Sequence, residues 1–148
     1  MVKFPPPIWL FIYLALAGAI SALHSWRSLA DLRLLPLGIA LLVLGLALSA
    51  WAVVLFRRED TEINPTSVTN KKLVVRGPYA ITRNPMYLGL TIVSIGIAFC
   101  VGSLPVFAVP LLMFATANWV HIPFEETKMR QQFGADFDDY TRRTRRWL

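Results

Sequence analysis

Apolar residues fall into four long blocks along this chain. The blocks run from about Ile8 to Leu23, Leu35 to Phe56, Tyr87 to Val101 and Leu104 to Phe124. The second is uncharged over 22 residues. At 1.5 Å per residue it spans ~33 Å, enough to cross a hydrocarbon core of ~30 Å. The third has 15 residues and reaches ~22 Å, so it either crosses partially or pairs with the fourth as a helical hairpin. Gly102-Ser103-Leu104-Pro105 separates those two, with a glycine to end one helix and a proline to open the next. Pro110 is expected to kink the fourth block. After Glu125, Met129, Phe133, Phe137 and Tyr140 recur on one helical face interrupted by Gly134. The pattern predicts an all-α integral membrane protein of about four transmembrane helices, the last two a hairpin, followed by a cytosolic amphipathic C-terminal helix.

Composition sharpens this picture. A chain of 148 residues makes a single domain, 1–148. Within it, 1–56 holds two N-terminal spans, and 57–148 holds a long loop, the hairpin and the tail. Hydrophobic residues make up 55%, charged residues 16%, and the mean hydropathy is +0.52; a water-soluble domain has about 25% charged residues. The N-terminal block is read as a retained helix, because Pro5-Pro6-Pro7 and Ala22-Leu23-His24 suit neither the basic start nor the cleavage site of a signal peptide. The lone Cys100 forms no intrachain disulfide and reads as a small buried hydrophobe.

The net charge of +6 lies in loops that flank apolar blocks. Membrane lipids therefore explain it better than nucleic acid, for which no groove-reading motif is present. With the N-terminus inside and four crossings, thirteen of the fifteen Lys and Arg residues fall on the cytoplasmic side, and only Arg27 and Arg33 fall outside. That is the asymmetry of the positive-inside rule. Trp9, Trp26 and Trp147 are expected at headgroup level, and Trp51 and Trp119 in packing positions. Glu59, Asp60 and Glu62 most simply balance nearby arginines, and no metal site is assigned.

Two polar regions lie against block ends. Gly77-Pro78-Tyr79 and Arg83-Asn84-Pro85-Met86-Tyr87 open the third block, and Glu125-Glu126 closes the fourth. A hairpin over 87–124 returns its end to the side where it began, so these groups are expected to converge at the cytosolic face. The N–H groups at the start of a helix favour a carboxylate. A glutamate favours an ammonium or sulfonium, and tyrosines cover flat or cationic faces. S-adenosylmethionine carries such a set of charges, and a phosphoethanolamine headgroup carries a similar one. The same residues also suit plainer roles: Glu125-Glu126 as a solvated pair opening the tail helix, and Arg83 and the tyrosines as interfacial anchors.

The stretches Leu73–Gly89 and Glu125–Tyr140 resemble the isoprenylcysteine carboxyl methyltransferase and phospholipid methyltransferase superfamily. The carrying residues are Gly77-Pro78-Tyr79, Arg83-Asn84-Pro85-Met86-Tyr87-Leu88-Gly89, Glu125-Glu126, Phe133-Gly134, Phe137 and Tyr140. The resemblance implies a small bacterial-type member of the inner membrane, with both termini cytoplasmic. It would transfer a methyl group from S-adenosyl-L-methionine to a lipophilic small molecule or lipid, with no obligate protein partner. It implies cofactor contacts from Lys71, Lys72, Leu73, Val74, Gly77, Tyr79, Asn84, Pro85, Met86, Tyr87, Glu125 and Glu126, and catalytic roles for Arg83, His121 and Glu125. Isoprenylcysteine enzymes have histidine at the position of Asn84 and a substrate-polarising arginine at that of His121. A neutral histidine holds a carboxylate less firmly, which points away from a prenylcysteine carboxylate as acceptor. An NADPH-dependent membrane reductase of the sterol reductase type and a non-enzymatic membrane scaffold are the alternatives.

Overall fold

The computed structural model describes residues 5–23, 32–58 and 72–148. Two helices, α1 (Pro6–Leu23) and α2 (Leu35–Arg58), are long and apolar enough to cross a membrane. The helix α3 (Pro85–Val101) is shorter, at 17 residues. A third long stretch runs over Leu104–Phe133. It consists of α4 (Leu104–Thr116), one wider π turn (Ala117–His121) and α5 (Ile122–Phe133). The short helix α6 (Ala135–Arg143) follows. The protein is an all-α integral membrane protein, as its apolar blocks predict.

The fourth span ends later than expected. The helix does not stop at Phe124 but carries Glu125 and Glu126 in its interior and runs to Phe133. Its 30 residues extend ~45 Å, so about a third of it stands clear of a ~30 Å hydrocarbon core. The π turn lies immediately before Pro123, whose ring would otherwise press on the carbonyl four residues back. The stop is Gly134, at φ 51° and ψ −121°, a conformation open to glycine alone. The expected amphipathic tail helix is therefore two helices. Met129 and Phe133 stay on α5, while Phe137 and Tyr140 turn back on α6 and become buried.

Packing runs in the order α2, α3, α4, α1, with neighbours antiparallel. Tyr13 Oη meets Thr116 Oγ1 at 2.6 Å, and Ser21 Oγ meets Ser103 Oγ at 2.7 Å, which sets α1 against α4. The contact of α2 with α3 is closer. The buried residues of α2 are Gly38, Gly45 and Ala52, one every two turns, and the two glycines face Gly96 and Gly89. A Cβ on Gly45 would stand 2.6 Å from the Gly89 carbonyl oxygen, and one on Gly96 would stand 2.8 Å from that of Gly38. In lipid there is no hydrophobic gain from pressing two apolar helices together, so backbone approach at small residues holds such a pair.

This order puts the start of α1, the end of α2, the start of α3 and all of α5 and α6 on one side. At the opposite end, Arg33 Nε donates to the Cys100 carbonyl at 2.9 Å, and Gly102 closes α3 at φ 74°. Two tryptophans depart from their expected packing positions. Trp51 and Trp119 face outward, 54% and 69% exposed, whereas Trp9 and Trp147 are half-buried against protein. Trp26, His24 and the acidic residues Glu59, Asp60 and Glu62 lie outside the described residues.

Gly45→Ala should lower the thermal unfolding midpoint in detergent, by the about 1–3 kcal/mol that an overpacked contact costs. A Cβ on Gly18 would meet nothing within 4 Å, so Gly18→Ala should raise it slightly, by about 0.5–1 kcal/mol. Equal midpoints for the two variants would contradict the close α2–α3 contact.

Candidate active site

The site side begins with a turn. Gly77 has φ 61° and lies against Leu55 and Trp51 of α2. Pro78 starts a single 3-10 turn, Gly77–Ala80, and Pro85 starts α3 behind the N-cap Asn84. Both prolines sit where the missing N–H costs nothing. Tyr79 lodges against α2, its ring 5.0 Å from that of Phe56, and forms an apolar cluster with Ala52 and Val74 onto which Met86 packs. Its carbonyl accepts a 2.6 Å hydrogen bond from the Tyr140 hydroxyl. Burial pushes both phenols above their ordinary range, so both act as neutral groups across physiological pH.

The two glutamates meet different partners. Glu126 is held by two arginines. Arg83 Nη2 donates to Oε1 at 2.8 Å, and Arg146 donates to both oxygens, from Nε at 3.1 Å and from Nη2 at 2.5 Å. Glu125 is held by a phenol, since the Tyr87 hydroxyl donates to its Oε1 at 2.6 Å. The Tyr87 ring also lies 6.0 Å from that of His121, tilted by 30°. Residues 38 or more positions apart in sequence thus share one face of the bundle, and Tyr87, His121 and Glu125 form one contiguous group.

The remaining expected site residues divide. Arg83 uses Nη1 on the carbonyls of Thr144 (2.6 Å) and Thr141 (3.2 Å), so its guanidinium ties down the tail as well as Glu126. Asn84 donates from Nδ2 to the Arg146 carbonyl at 2.9 Å and does not cap α3. Pro85 is fully buried. Val74, Tyr79 and Met86 belong to the α2 cluster, with Tyr79 near enough to Glu125 to feel its charge. Leu73 is half-buried and Lys72 exposed, and Lys71 lies outside the described residues.

The tail itself is the part that sequence reading missed. The Arg83 N–H donates to the Arg145 carbonyl at 2.9 Å, and Thr82 Oγ1 donates to that of Arg146 at 3.0 Å, so residues 144–147 lie beside the start of α3. Trp147 packs on Tyr87, Ala117 and Ile122 and donates its indole N–H to Asn118 Oδ1 at 3.0 Å. The sequence marks Arg142, Arg143, Arg145 and Arg146 only as a basic end; nothing in their spacing distinguishes the one that is paired with Glu126.

A family model described as phospholipid methyltransferase matches residues 34–136. The chain is also 32% identical over 111 residues to the protein-S-isoprenylcysteine O-methyltransferase B of Arabidopsis thaliana, covering 72% of this chain and 54% of that protein. It therefore spans about half the length of this relative. No solved structure matches it.

Glu126→Ala should destabilise the protein by about 1–3 kcal/mol, because it leaves two guanidiniums without their counter-charge. The figure stays below that of a fully buried pair because Arg146 is 35% exposed. Arg146→Ala should cost less, since the Arg83–Glu126 pair survives. Thermal unfolding in detergent ranks the two, and the reverse order would show that the arginines do not share one carboxylate.

Proposed function

The chain belongs to the phospholipid methyltransferase family, and on that premise we propose that it transfers a methyl group from S-adenosylmethionine to a lipophilic, membrane-dissolved acceptor at the cytosolic face. The observation that carries this reading is the unequal treatment of adjacent carboxylates. Glu126 is neutralised by two guanidiniums, while Glu125 is oriented by an uncharged hydroxyl. A carboxylate at the lipid boundary is costly unless cations complete it, and the charge of Lys128, one turn on, supplies Glu125 with part of that compensation. The ammonium and sulfonium of S-adenosylmethionine are cations of the right kind, and the Tyr87 ring beside Glu125 suits a sulfonium face. The N–H groups of the first turn of α3, which no side chain caps, suit the cofactor carboxylate. The donor set of this chain fits the cofactor.

When bound, the cofactor supplies an electrophilic methyl group. The protein's part is positional. Glu125 and Tyr87 hold one reactant at the aqueous edge of the bundle, and the apolar outer surfaces of α1 and α4 admit the other from lipid. The Arg83–Glu126–Arg146 cluster holds the tail across the start of α3, which limits water at the site. Alignment of two reactants and exclusion of water are sufficient tasks for a displacement at methyl. The topology with both ends on the cytosolic side rests on the distribution of Lys and Arg.

Calorimetry with S-adenosylhomocysteine in detergent tests the assignment. The wild type should bind. Glu125→Gln should weaken binding by about 10- to 100-fold, the worth of a hydrogen bond to a charged group. Tyr87→Phe should weaken it less. No binding by the wild type would remove the assignment, and binding of NADPH in its place would transfer the site to a reductase.

A further inference from the structure

The Tyr87 group has a second side. Tyr87 and His121 line a crevice with Pro6 and Trp9 of α1, Met113 and Thr116 of α4, and Ala117 of the π turn. Among the described residues, two buried nitrogens of these side chains have no protein partner: the indole Nε1 of Trp9 and Nε2 of His121, a residue only 2% exposed. Buried polar groups almost always find partners, so two such nitrogens on residues that line one crevice point to a ligand. The hydroxyl of Thr116 is already engaged by Tyr13. The crevice is otherwise apolar and faces α1, a helix outside the 34–136 family match.

Resting on the methyl-transfer reading, we infer that this crevice seats the methyl-accepting group of the substrate, and that this group is an uncharged hydroxyl or thiol at the end of a lipophilic molecule. The chemistry follows from the two nitrogens. An indole N–H only donates, so it requires a lone pair on the acceptor atom. With its proton on Nδ1, His121 accepts at Nε2, so it requires a proton on that same atom. A group of the type R–X–H satisfies both. A carboxylate has no proton for His121 and meets no fixed cation among the lining residues; an ammonium has no lone pair for Trp9 and meets no carboxylate there, and a neutral amine has a single lone pair, which the Trp9 N–H would hold back from the methyl group.

The position also suits the reaction. Tyr87 is shared, its hydroxyl on Glu125 and its ring against His121, so the acceptor seat adjoins the proposed cofactor seat. As the X–CH3 bond forms, the methyl–sulfur bond breaks and its electron pair stays on sulfur as a neutral thioether. The proton of X passes to His121 Nε2. Among the described residues, the ionisable groups near this imidazole are Tyr87 of α3, Glu125 one turn further along its own helix, and Tyr13 of α1, which is bonded to Thr116. The crevice is narrower than a water molecule, so an acceptor enters by parting α1 from α4.

The experiment uses the whole protein in phosphatidylcholine vesicles with a labelled methyl donor and four probes: dodecylphenol, hexadecanethiol, palmitate and hexadecylamine. Label should enter the phenol or the thiol, and which of them takes it separates the two sources of X–H. Trp9→Phe should lower kcat/KM about tenfold, and His121→Gln about 100-fold or more, with loss of the acidic limb of the pH–rate profile. Both variants should bind S-adenosylhomocysteine as the wild type does, which also shows that they are folded. Label in palmitate or hexadecylamine, or in none of the probes, overturns the inference while leaving the cofactor reading intact. So does wild-type transfer by both variants, or loss of S-adenosylhomocysteine binding by both. A wild type that binds no S-adenosylhomocysteine overturns the two readings together.

Discussion

A carboxylate at the rim of an apolar bundle must be compensated, and Glu126 meets that demand with guanidiniums from two distant parts of the chain. Much of the site's architecture follows from this one cluster. Arg83 stands just before α3 and Arg146 near the C-terminus, so satisfying Glu126 draws the loop, the long helix and the tail to one point. The further bonds of Arg83 to the Thr141 and Thr144 carbonyls extend the same constraint along the tail. Each of these charges would be costly to leave alone at a lipid boundary, so they are arranged as a group.

Because Glu126 absorbs both arginines, its neighbour is left for a different role. Adjacent residues on a helix point about 100° apart, so Glu125 faces Tyr87 and the interior of the bundle while Glu126 faces the tail. A single helical step thus divides a structural carboxylate from a candidate ligand-binding one. The π turn immediately upstream sets His121 against Tyr87, and wider turns of this kind recur where helices serve a site.

Below the polar rim, the bundle depends on the absence of side chains. Gly38 and Gly45 of α2 and Gly89 and Gly96 of α3 allow two backbones to touch. This contact runs along much of α3, a helix shorter than α1 and α2, and fixes the height at which Arg83, Asn84 and Tyr87 emerge. The glycines were visible in the sequence, yet their meeting was not, since a seven-residue spacing of small residues on one helix names no partner.

The sequence by itself determined the solvent and the number of apolar blocks, because burial in lipid demands unbroken runs of apolar residues. It also carried the family motifs, since a local string such as Arg83–Gly89 keeps its spacing whatever surrounds it. Three things were decided by the tertiary structure. The fourth span continues past Phe124, because what ends a helix is backbone conformation, and Gly134 supplies it. Trp147 and Arg146 turn inward from what reads as a solvated basic tail, because their partners Asn118, Tyr87 and Glu126 lie 20 or more residues away. Trp9 comes to share a crevice with His121, a meeting of first and fourth spans that no local pattern encodes. Periodicity and charge are properties of neighbours along the chain, whereas a binding site is made of neighbours in space.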